Sequence, residues 1–458
     1  MQLGNVSFWY EDMGGLPKPR PPMPADSTAD ICIIGAGYTG LWTAYYLKTH
    51  APNLNITILE SAFAGFGASG RNGGWLTGGF AWRHENYLKK GSIQDVKDLV
   101  RHMGSTVGEI MRVAKLEEID ADIIATDELM IATNPAQLIR LKGEVAHRQS
   151  WGEAAPLVYD IGAQEARARV NIPNLLGAMV VSNVARIQPA KLVQGLARAV
   201  EAKGVRIFED TKATSIAKGL VTTNRGPMRA EIILRATEGF TCNIGGLKRN
   251  ILPLNSAQII TEILPQSVWD HLGWKNHEIL GDFNNSYCYC QRSRDGRLVV
   301  GGRGVPYLFG SRIDQNGVPD PETVRRLTTI MHRHFPISRD FKIDHAWCGV
   351  LGVPRDWCAS VGLDPETKIG WAGGYVGVGV STSNLAGQTL ADLALGRETP
   401  LTRLPWVNHK VRKWEPEPLR YSGVHGMYNL LHLADRQEAR TNGSPSVFGR
   451  FGNWVMGR

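Results

Sequence analysis

Short apolar runs alternate with amphipathic stretches through the first half of the chain, after a proline-rich leader. The leader, residues 1–29, is predicted to run extended over the surface, because proline fixes the backbone and removes a hydrogen-bond donor. The next run, Ile31–Ile34, is apolar throughout, which is typical of a strand buried on both faces. Helical spacing over 41–47 and a second strand over 56–60 complete a β-α-β pattern. This pattern predicts the first unit of a parallel, Rossmann-type sheet.

Farther along, helical and strand-like patterns occur in separate blocks. Residues 95–150 are predicted to be mainly helical, whereas 256–307 are predicted to form strands, with a hairpin turn at Asp295–Gly296. The remaining elements are predicted as helices over 190–204, 321–334, 384–395 and 426–434, and as strands over 205–208, 230–237 and 368–373.

A glycine fingerprint connects the first strand to the first helix. Gly35 permits a tight turn, Gly37 lets the backbone approach a pyrophosphate, and Gly40 lets the helix pack closely against the strand. The N-terminal amides of that helix then point at the phosphates. Glu60 follows at the end of the second strand, where an acidic side chain accepts ribose hydroxyls and argues against NADP.

Two more glycine clusters decide between NAD and FAD. One of them, 65–74, follows Glu60 closely, and the other, 372–380, precedes the helix predicted at 384. Successive glycines present backbone N–H groups to a long ligand. An extended FAD would contact all three glycine-rich stretches. A nicotinamide enzyme does not need the third stretch, so FAD is the predicted cofactor.

Composition narrows the class further. At 458 residues the chain is long enough for two domains, and its net charge of +8 does not concentrate in runs, so no nucleic-acid partner is expected. Six cysteines are too few for a disulfide framework, which fits a cytoplasmic location. Cys288 and Cys290 are predicted on one face of a strand and not around a metal. No signal-peptide pattern or bilayer-spanning stretch is found, and the tryptophan-rich tail is expected to pack across the domain junction and not on a membrane.

Four segments together resemble the D-amino-acid-oxidase-like (DAO) family of FAD-dependent oxidoreductases, and within it the γ-glutamylputrescine-oxidase-like branch. They are 35–44, 65–74, 297–304 and 374–380, which stand in the family's order. The resemblance implies a mixed α/β and α+β fold, in which a Rossmann-type FAD-binding domain is interleaved with a substrate domain built on an antiparallel sheet with helices. The FAD-binding domain would take 30–95, 185–250 and 345–400, the substrate domain 96–184 and 251–344, and a helical tail 401–458.

The resemblance also implies the chemistry. A hydride leaves the carbon next to an amine nitrogen, water hydrolyses the resulting imine, and O2 or another acceptor reoxidises the flavin. Cys348 lies near the position at which some relatives bind FAD covalently, although non-covalent FAD is expected. The residues expected to bind FAD are Gly35, Gly37, Tyr38, Thr39, Gly40, Glu60, Ser61, Ala68, Ser69, Gly70, Arg71, Asn72, Gly73, Gly74, Trp75, Leu76, Ala213, Thr237, Gly349, Gly374, Tyr375, Val376, Gly377, Val378, Gly379 and Val380.

Two departures from the family bear on the substrate. Sarcosine oxidases have a carboxylate-binding lysine where this chain has Ser381, and glycine oxidase has an arginine near the position of Leu351. Arg71 and Arg355 are the other candidate anion contacts, but both are expected to be structural. Since arginine is the usual bidentate partner of a carboxylate, the resemblance favours a primary or secondary amine without an α-carboxylate. A D-amino-acid or N-methyl-amino-acid oxidase or dehydrogenase is the alternative.

A third departure concerns the electron acceptor. Sarcosine oxidases have a lysine over the flavin that promotes electron transfer to O2, and this chain has Val299 there, so oxidase and dehydrogenase both stay open. Less favoured alternatives are an NAD-dependent dehydrogenase, a tRNA-modifying flavoenzyme and a non-catalytic flavin-binding protein, and the oligomeric state is left open.

An apolar substrate pocket is predicted from Trp75, Trp347, Tyr375 and Leu351, with Trp82 and Trp357 nearby.

Overall fold

The structure, a computed structural model, describes residues 1–81, 83–302, 307–313, 316–441, 443–449 and 452. Its elements are numbered in chain order. The strands are β1 (Gln2–Leu3), β2 (Ser27–Ile34), β3 (Ile56–Leu59), β4 (Trp75–Leu76), β5 (Ile124–Ala132), β6 (Val158–Gly162), β7 (Gly177–Arg186), β8 (Arg206–Phe208), β9 (Ala213–Ala217), β10 (Leu220–Thr223), β11 (Gly226–Arg235), β12 (Leu252–Thr261), β13 (Ile279–Asp282), β14 (Cys288–Arg292), β15 (Leu298–Gly302), β16 (Ile343–Val353), β17 (Ser360–Leu363) and β18 (Ile369–Gly373).

The helices connect and cover these strands. The α-helices are α1 (Phe8–Glu11), α2 (Tyr38–His50), α3 (Ile93–Leu116), α4 (Pro135–Ser150), α5 (Ala163–Arg169), α6 (Pro189–Ala202), α7 (Gln266–Leu272), α8 (Pro321–His334), α9 (Gly379–Ala394) and α10 (Leu419–Thr441). Short 3₁₀ helices occupy Ala68–Gly70, His84–Lys89, Glu238–Asn243, Phe309–Ser311, Pro336–Asp340 and Pro400–Arg403. Among the described residues, no helix has both the length and the apolar character needed to cross a membrane.

One sheet has the order β17-β18-β11-β2-β3-β8, with the β9–β10 hairpin beside β11. Strands β18, β11, β2, β3 and β8 are parallel, as the β-α-β pattern predicts. Helix α2 is buried from Tyr38 to Lys48 because it lies between this sheet and α9. The two helices approach closely, since a Cβ on Gly387 would lie 2.6 Å from Trp42 Cβ. The predicted Rossmann-type half of the fold is confirmed.

The other sheet has the order β1-β16-β12-β15-β14-β13-β5-β7-β4, with β6 beside β7. Its neighbours from β16 to β13 are antiparallel, and β14 and β15 form the predicted hairpin, with Gly296 at a φ of +83°. Cys288 and Cys290 share one face, as predicted, and belong to an apolar core with residues of α7 and α8. The opposite face of β12, β14 and β15 is turned towards the Rossmann sheet's loops. The mixed fold implied by the family resemblance is therefore confirmed.

A polar cluster lies on the covered face of this sheet. Asp282 Oδ2 is 3.1 Å from His334 Nε2 and accepts a hydrogen bond of 3.3 Å from Cys288 Sγ, and all three residues are buried. Burial alone would lower the pKa of His334, but the neighbouring Cys288 and Asp282 raise it to about 9. The cluster therefore favours the protonated form of an imidazole beside a carboxylate inside the substrate-side core.

The leader departs from its prediction. Residues 1–11 do not form a free extended segment, because β1 pairs with β16 and the aromatic side chains of α1 are buried. Trp9 Nε1 donates a hydrogen bond of 2.8 Å to Asn72 O, so α1 is attached to the second glycine cluster. Farther along, Arg20 forms ion pairs with Glu201 and with the buried Glu209. The apolar pattern Phe8–Tyr10 could have indicated this burial.

Other expectations fail where a strand and a helix occur in the same block. Residues 95–150 contain β5 between α3 and α4, and 256–307 contains α7 among its strands. Strand β16 begins at Ile343 and lies in the antiparallel sheet, although the predicted FAD-binding segment starts at 345. The tail forms α10, and Trp406 and Trp414 are buried. Three of the residue sets named in the sequence predictions, 303–304, Trp82 and the last six residues, lie outside the described part of the chain. The exact domain division stays a prediction.

Candidate active site

The turn between β2 and α2 has the geometry of a phosphate-binding loop. Gly35 has a φ of +105°, and a Cβ on it would lie 2.6 Å from Ala236 O. A Cβ on Gly40 would lie 2.0 Å from Gly35 O, and one on Gly37 would lie 2.9 Å from Ser69 Oγ. Because the atoms facing Gly35 and Gly40 belong to the backbone, the turn requires glycine at these two positions, whereas a side chain at Gly37 would have to displace the Ser69 hydroxyl. It brings bare backbone to the N-terminus of α2, which is where anions bind.

Glu60 fixes the loop beside this turn. Its Oε2 accepts the Ala36 N–H at 2.9 Å, and its Oε1 accepts the Ala62 N–H at 3.0 Å and the Ser61 hydroxyl at 3.2 Å. Burial raises the pKa of Glu60, and these hydrogen bonds act in the opposite direction. The carboxylate is thus anchored at the end of β3, where the sequence predicts the ribose-binding acid.

A cleft of about 1170 Å³, here named the Rossmann cleft, opens above the turn. Its walls come from the stretches 34–39, 66–72 and 375–383, with further residues from 211–213 and 236–244. Tyr375 Oη and Thr39 Oγ1 are 2.9 Å apart and connect the first stretch to the third. The three glycine-rich regions, far apart in sequence, therefore converge on one cleft.

Glu238, which follows the end of β11, holds the third glycine cluster in place. Its Oε1 accepts the N–H groups of Gly374 at 3.2 Å and Tyr375 at 2.8 Å. Its φ of +41° is strained for a side-chain-bearing residue, and burial raises its pKa to about 7. The carboxyl group thereby attaches the loop before α9 to the Rossmann sheet, and strain of this kind is concentrated at functional sites.

A second cavity of about 1430 Å³, here named the aromatic cavity, continues from the Rossmann cleft. The two share Ala68, Asn72, Leu351, Gly377 and Val380 as lining residues. The aromatic cavity lies against the open face of the antiparallel sheet. Its aromatic walls are Trp75, Phe80, Phe283, Tyr287 and Tyr289.

Tyr289 is held rigidly at the centre of this face. Cβ atoms on Gly73 and Gly301 would lie 2.5 and 2.2 Å from its ring, so both glycines are needed to seat it. Tyr289 Oη is 3.0 Å from Ser256 Oγ, and the ring of Trp75 packs edge-on at 6.0 Å. The side chain therefore presents a fixed wall next to the shared part of the two cavities.

Two glutamines attach the second glycine cluster to the sheet. Gln258 Nε2 donates to Arg71 O at 2.6 Å, and Gln291 Nε2 donates to Gly73 O at 2.5 Å. Both side chains are buried. The segment 71–73 is therefore fixed from the substrate side.

Most of the predicted FAD-binding residues line one of the two cavities. Those lining the Rossmann cleft, the aromatic cavity or both are Gly35, Gly37, Tyr38, Thr39, Glu60, Ser61, Ala68, Ser69, Arg71, Asn72, Gly73, Trp75, Ala213, Thr237, Gly349, Tyr375, Val376, Gly377, Val378, Gly379 and Val380. Gly40, Gly70, Gly74, Leu76 and Gly374 line neither and act in packing; the N–H of Gly374, for example, is taken by Glu238. Of the predicted substrate-pocket residues, Trp75, Tyr375 and Leu351 line the cavities.

Trp347 and Cys348 are exceptions. Trp347 is fully buried against Phe8 and Trp9, and its Nε1 donates to Arg71 O at 3.0 Å, so the prediction that it lines the substrate pocket is wrong. Cys348 lies on the opposite face of β16, in the core that contains Cys288, with Sγ 3.5 Å from Val318 O. Because its sulfur points away from both cavities, the alternative of a covalent link to FAD is not supported.

The arginines near the cavities that the structure describes, Arg71, Arg148 and Arg355, have protein partners. Arg71 Nε donates to Phe66 O at 2.7 Å and its guanidinium lies over the Phe66 ring, so it supports the loop, as expected. Arg148 forms two hydrogen bonds to Glu153, at 2.9 and 2.5 Å. Arg355 pairs with Glu415 and does not line either cavity.

These features fit FAD. A tight glycine turn at a helix N-terminus suits a pyrophosphate, Glu60 suits a ribose, and the junction of the two cavities beside Gly349 and Gly377 offers bare backbone to a flat ring. The family comparison agrees with this interpretation. The family model DAO, described as "FAD dependent oxidoreductase", matches residues 30–393 of the chain. The chain belongs to the DAO family of FAD-dependent oxidoreductases. Flavin held here would supply a two-electron acceptor at the entrance to the aromatic cavity.

Known proteins resemble the chain over most of its length. Gamma-glutamylputrescine oxidoreductase of Escherichia coli K12 is 29% identical over 402 residues, which cover 86% of this chain and 89% of that protein. A probable oxidoreductase OrdL of Rhizobium meliloti is 29% identical, covering 86% and 90%. Among solved structures, glycine oxidase from Geobacillus kaustophilus has a TM-score of 0.69 at 20% identity, covering 84% of this chain and 100% of that one, which supports the fold.

Several lining residues were not predicted from the sequence. Glu238 and Phe240 line the Rossmann cleft, and Glu128, Gln258 and Tyr289 line the aromatic cavity. The alternation that places Cys288 and Cys290 on one face also places Tyr289 on the other, so that signal was present. Glu128 had no comparable signal, because the strand that carries it was predicted as helix.

Proposed function

We propose that the protein oxidises a primary or secondary amine that has no α-carboxylate. The observation that carries this proposal is the charge of the aromatic cavity. Among the described residues, the lining arginines have protein partners, and the lining carboxylate of Glu128 has no direct ion pair. Arg71 and Arg148 have protein partners for their guanidinium groups, while Glu128 and Glu144 contribute two carboxylates. This arrangement supports a cationic substrate over an anionic one.

Among the described residues, a substrate carboxylate would meet no lining cation in this cavity that lacks a protein partner. Carboxylates are normally bound by a bidentate arginine or by a lysine. Ser381 lies at the cavity wall, and its Oγ donates to Thr77 O at 2.5 Å, so it is also engaged. The nearby charge of Glu128 would repel a carboxylate further. The relative from E. coli is named for a putrescine derivative, which is consistent with an amine substrate.

The reaction balances with this amine, water and the flavin, which when bound would supply the two-electron acceptor. The carbon next to nitrogen loses a hydride that the flavin would take up, nitrogen loses a proton, and the resulting imine is hydrolysed to a carbonyl compound and ammonia or an amine. O2 or another acceptor would then reoxidise the flavin. Tyr289 and Trp75 would shield the reacting carbon from water on the side of the aromatic cavity, and Leu351 and Gly377 line the shared part of the cavities where that carbon would lie. The amine must lose its proton before oxidation, because only neutral nitrogen has the lone pair that expels hydride.

The test is anaerobic reduction of the bound flavin by matched pairs of compounds. Butylamine and norvaline differ only in the α-carboxylate, as do their N-methyl derivatives, and both enantiomers of the amino acids are included. The proposal predicts bleaching of the flavin by the amines and a carbonyl product. Bleaching by either norvaline enantiomer at an equal or greater rate would instead support the amino-acid oxidase alternative.

A further inference from the structure

We propose that Glu128 forms the base of a cation-binding subsite, so that the amine oxidised here carries a second positively charged nitrogen at the other end of an alkyl chain. This inference rests on the proposed function, since it identifies the substrate class of the same cavity. It places the reacting nitrogen at the junction with the Rossmann cleft and the second one beside Glu128.

Glu128 is positioned for such a role. It lies on β5, is 7% exposed and lines the aromatic cavity. Its Oε2 accepts a hydrogen bond of 2.9 Å from Thr77 Oγ1. Thr77 is fixed in turn, because its carbonyl oxygen accepts the hydroxyl of Ser381 at the start of α9. The orientation of the carboxylate is therefore set by two elements of the fold.

Within the described part of the chain, Glu128 forms no direct ion pair. The nearest cation, Arg148, forms a buried bidentate pair with Glu153 through both carboxylate oxygens. Glu144, on α4, adds a second carboxylate to the same cavity wall. Burial raises the pKa of Glu128, and Arg148 lowers it. A buried carboxylate without a direct ion-pair partner binds a cation favourably, because the cost of its desolvation has been met during folding.

The spacing along the sheet sets the length of the ligand. Tyr289, Gly281 and Met130 are cross-strand neighbours on β14, β13 and β5, and Glu128 lies two residues from Met130 on the same face. Two strand spacings and one two-residue repeat put the Tyr289 and Glu128 positions about 12 Å apart. Since both side chains extend into the cavity, the gap fits a chain of several methylene groups.

The apolar surface of the cavity suits methylene groups. Met130 lies between the Tyr289 and Glu128 positions, and Met179, Phe80 and Phe283 add apolar surface to the same cavity. Aromatic rings near a carboxylate also favour an alkylammonium over a hydrated metal ion. A linear diamine thus matches both ends and the middle of the cavity.

The experiment compares linear diamines with monoamines of equal chain length on the holoenzyme. The flavin-reduction rate at increasing amine concentration gives an apparent Kd and a limiting rate for butane-1,4-diamine, octane-1,8-diamine, butylamine and octylamine. The variants are Glu128→Gln and, as a matched control, Glu165→Gln, which removes an exposed carboxylate outside the cavity. Binding of the same amines to the dithionite-reduced holoenzyme, measured by calorimetry, gives affinities without turnover.

The subsite predicts that at least one diamine binds more tightly than its monoamine. Glu128→Gln should raise the Kd of that diamine about tenfold or more, with little change for the monoamine, since a hydrogen bond to a charged group is lost. Equal Kd values for diamines and monoamines in the wild type, or an equal effect of Glu128→Gln on both, would overturn the subsite. If Glu128→Gln does not fold, the comparison of diamine and monoamine Kd values in the wild type decides whether the subsite exists. If no amine reduces the flavin, the proposed function fails, and calorimetry still tests the subsite.

Discussion

Gly40→Ala tests whether the first glycine turn binds the pyrophosphate. A Cβ on Gly40 would lie 2.0 Å from Gly35 O, whereas an unstrained carbon–oxygen contact is about 3.3 Å. Gly35 cannot yield easily, because its N–H donates to Leu59 O at 2.8 Å and its Cα faces Ala236 O. The start of α2 must therefore move by about 1 Å, which costs about 1–3 kcal/mol of stability.

The same movement would lengthen the N–H···phosphate hydrogen bonds at the turn. Loss of one or two charge-assisted bonds of about 1.5–3 kcal/mol each corresponds to a rise of about 100-fold in the Kd for FAD. The assay is titration of apoprotein with FAD, followed by flavin fluorescence, together with thermal unfolding at saturating FAD.

Gly108→Ala is the matched control. Gly108 is exposed in α3, and a Cβ there would meet nothing within 4 Å. It should leave FAD affinity unchanged and raise stability by about 0.5–1 kcal/mol, since alanine is the better helix former. If Gly40→Ala bound FAD within about threefold of the wild type, the turn could not be the pyrophosphate site.

Two further predictions concern stability. Arg20→Met leaves the buried Glu209 without its cation and should lower the free energy of unfolding, measured with urea, by about 3 kcal/mol. Arg403→Met breaks an exposed ion pair and should lower it by less than about 1 kcal/mol. Similar losses in the two variants would contradict this prediction. His334 has a pKa raised from 6.5 to about 9, so its contribution is complete below pH 6.5 and is lost as the pH rises towards 9. The melting temperature of His334→Gln should therefore fall less than that of the wild type over this range, and parallel curves would show that His334 is not responsible.

Local chemistry determined which parts of this fold could be predicted. The Rossmann unit was predictable because Gly35, Gly40 and Glu60 meet strict local requirements of turn, packing and ribose binding. β5 was not, because the polar Thr126–Glu128 segment interrupts its alternation and its burial depends on distant strands.

The faces of β16 show the same limit. Strand alternation separates Trp347 from Cys348, but it does not say which of the two faces the flavin. Here the packing of α1, which is part of the leader, decides, since Phe8 and Trp9 cover Trp347. Long-range packing of this kind cannot be predicted from the sequence of the strand itself.

Rapid mixing of the oxidised holoenzyme with butane-1,4-diamine or with ornithine, without oxygen, tests the central claim most directly. The two compounds have the same pair of nitrogens and differ by one α-carboxylate. We expect complete loss of the flavin's visible absorption with the diamine and little or none with ornithine. Reduction by ornithine at the rate of the diamine or faster would contradict an amine oxidase whose cavity excludes carboxylates.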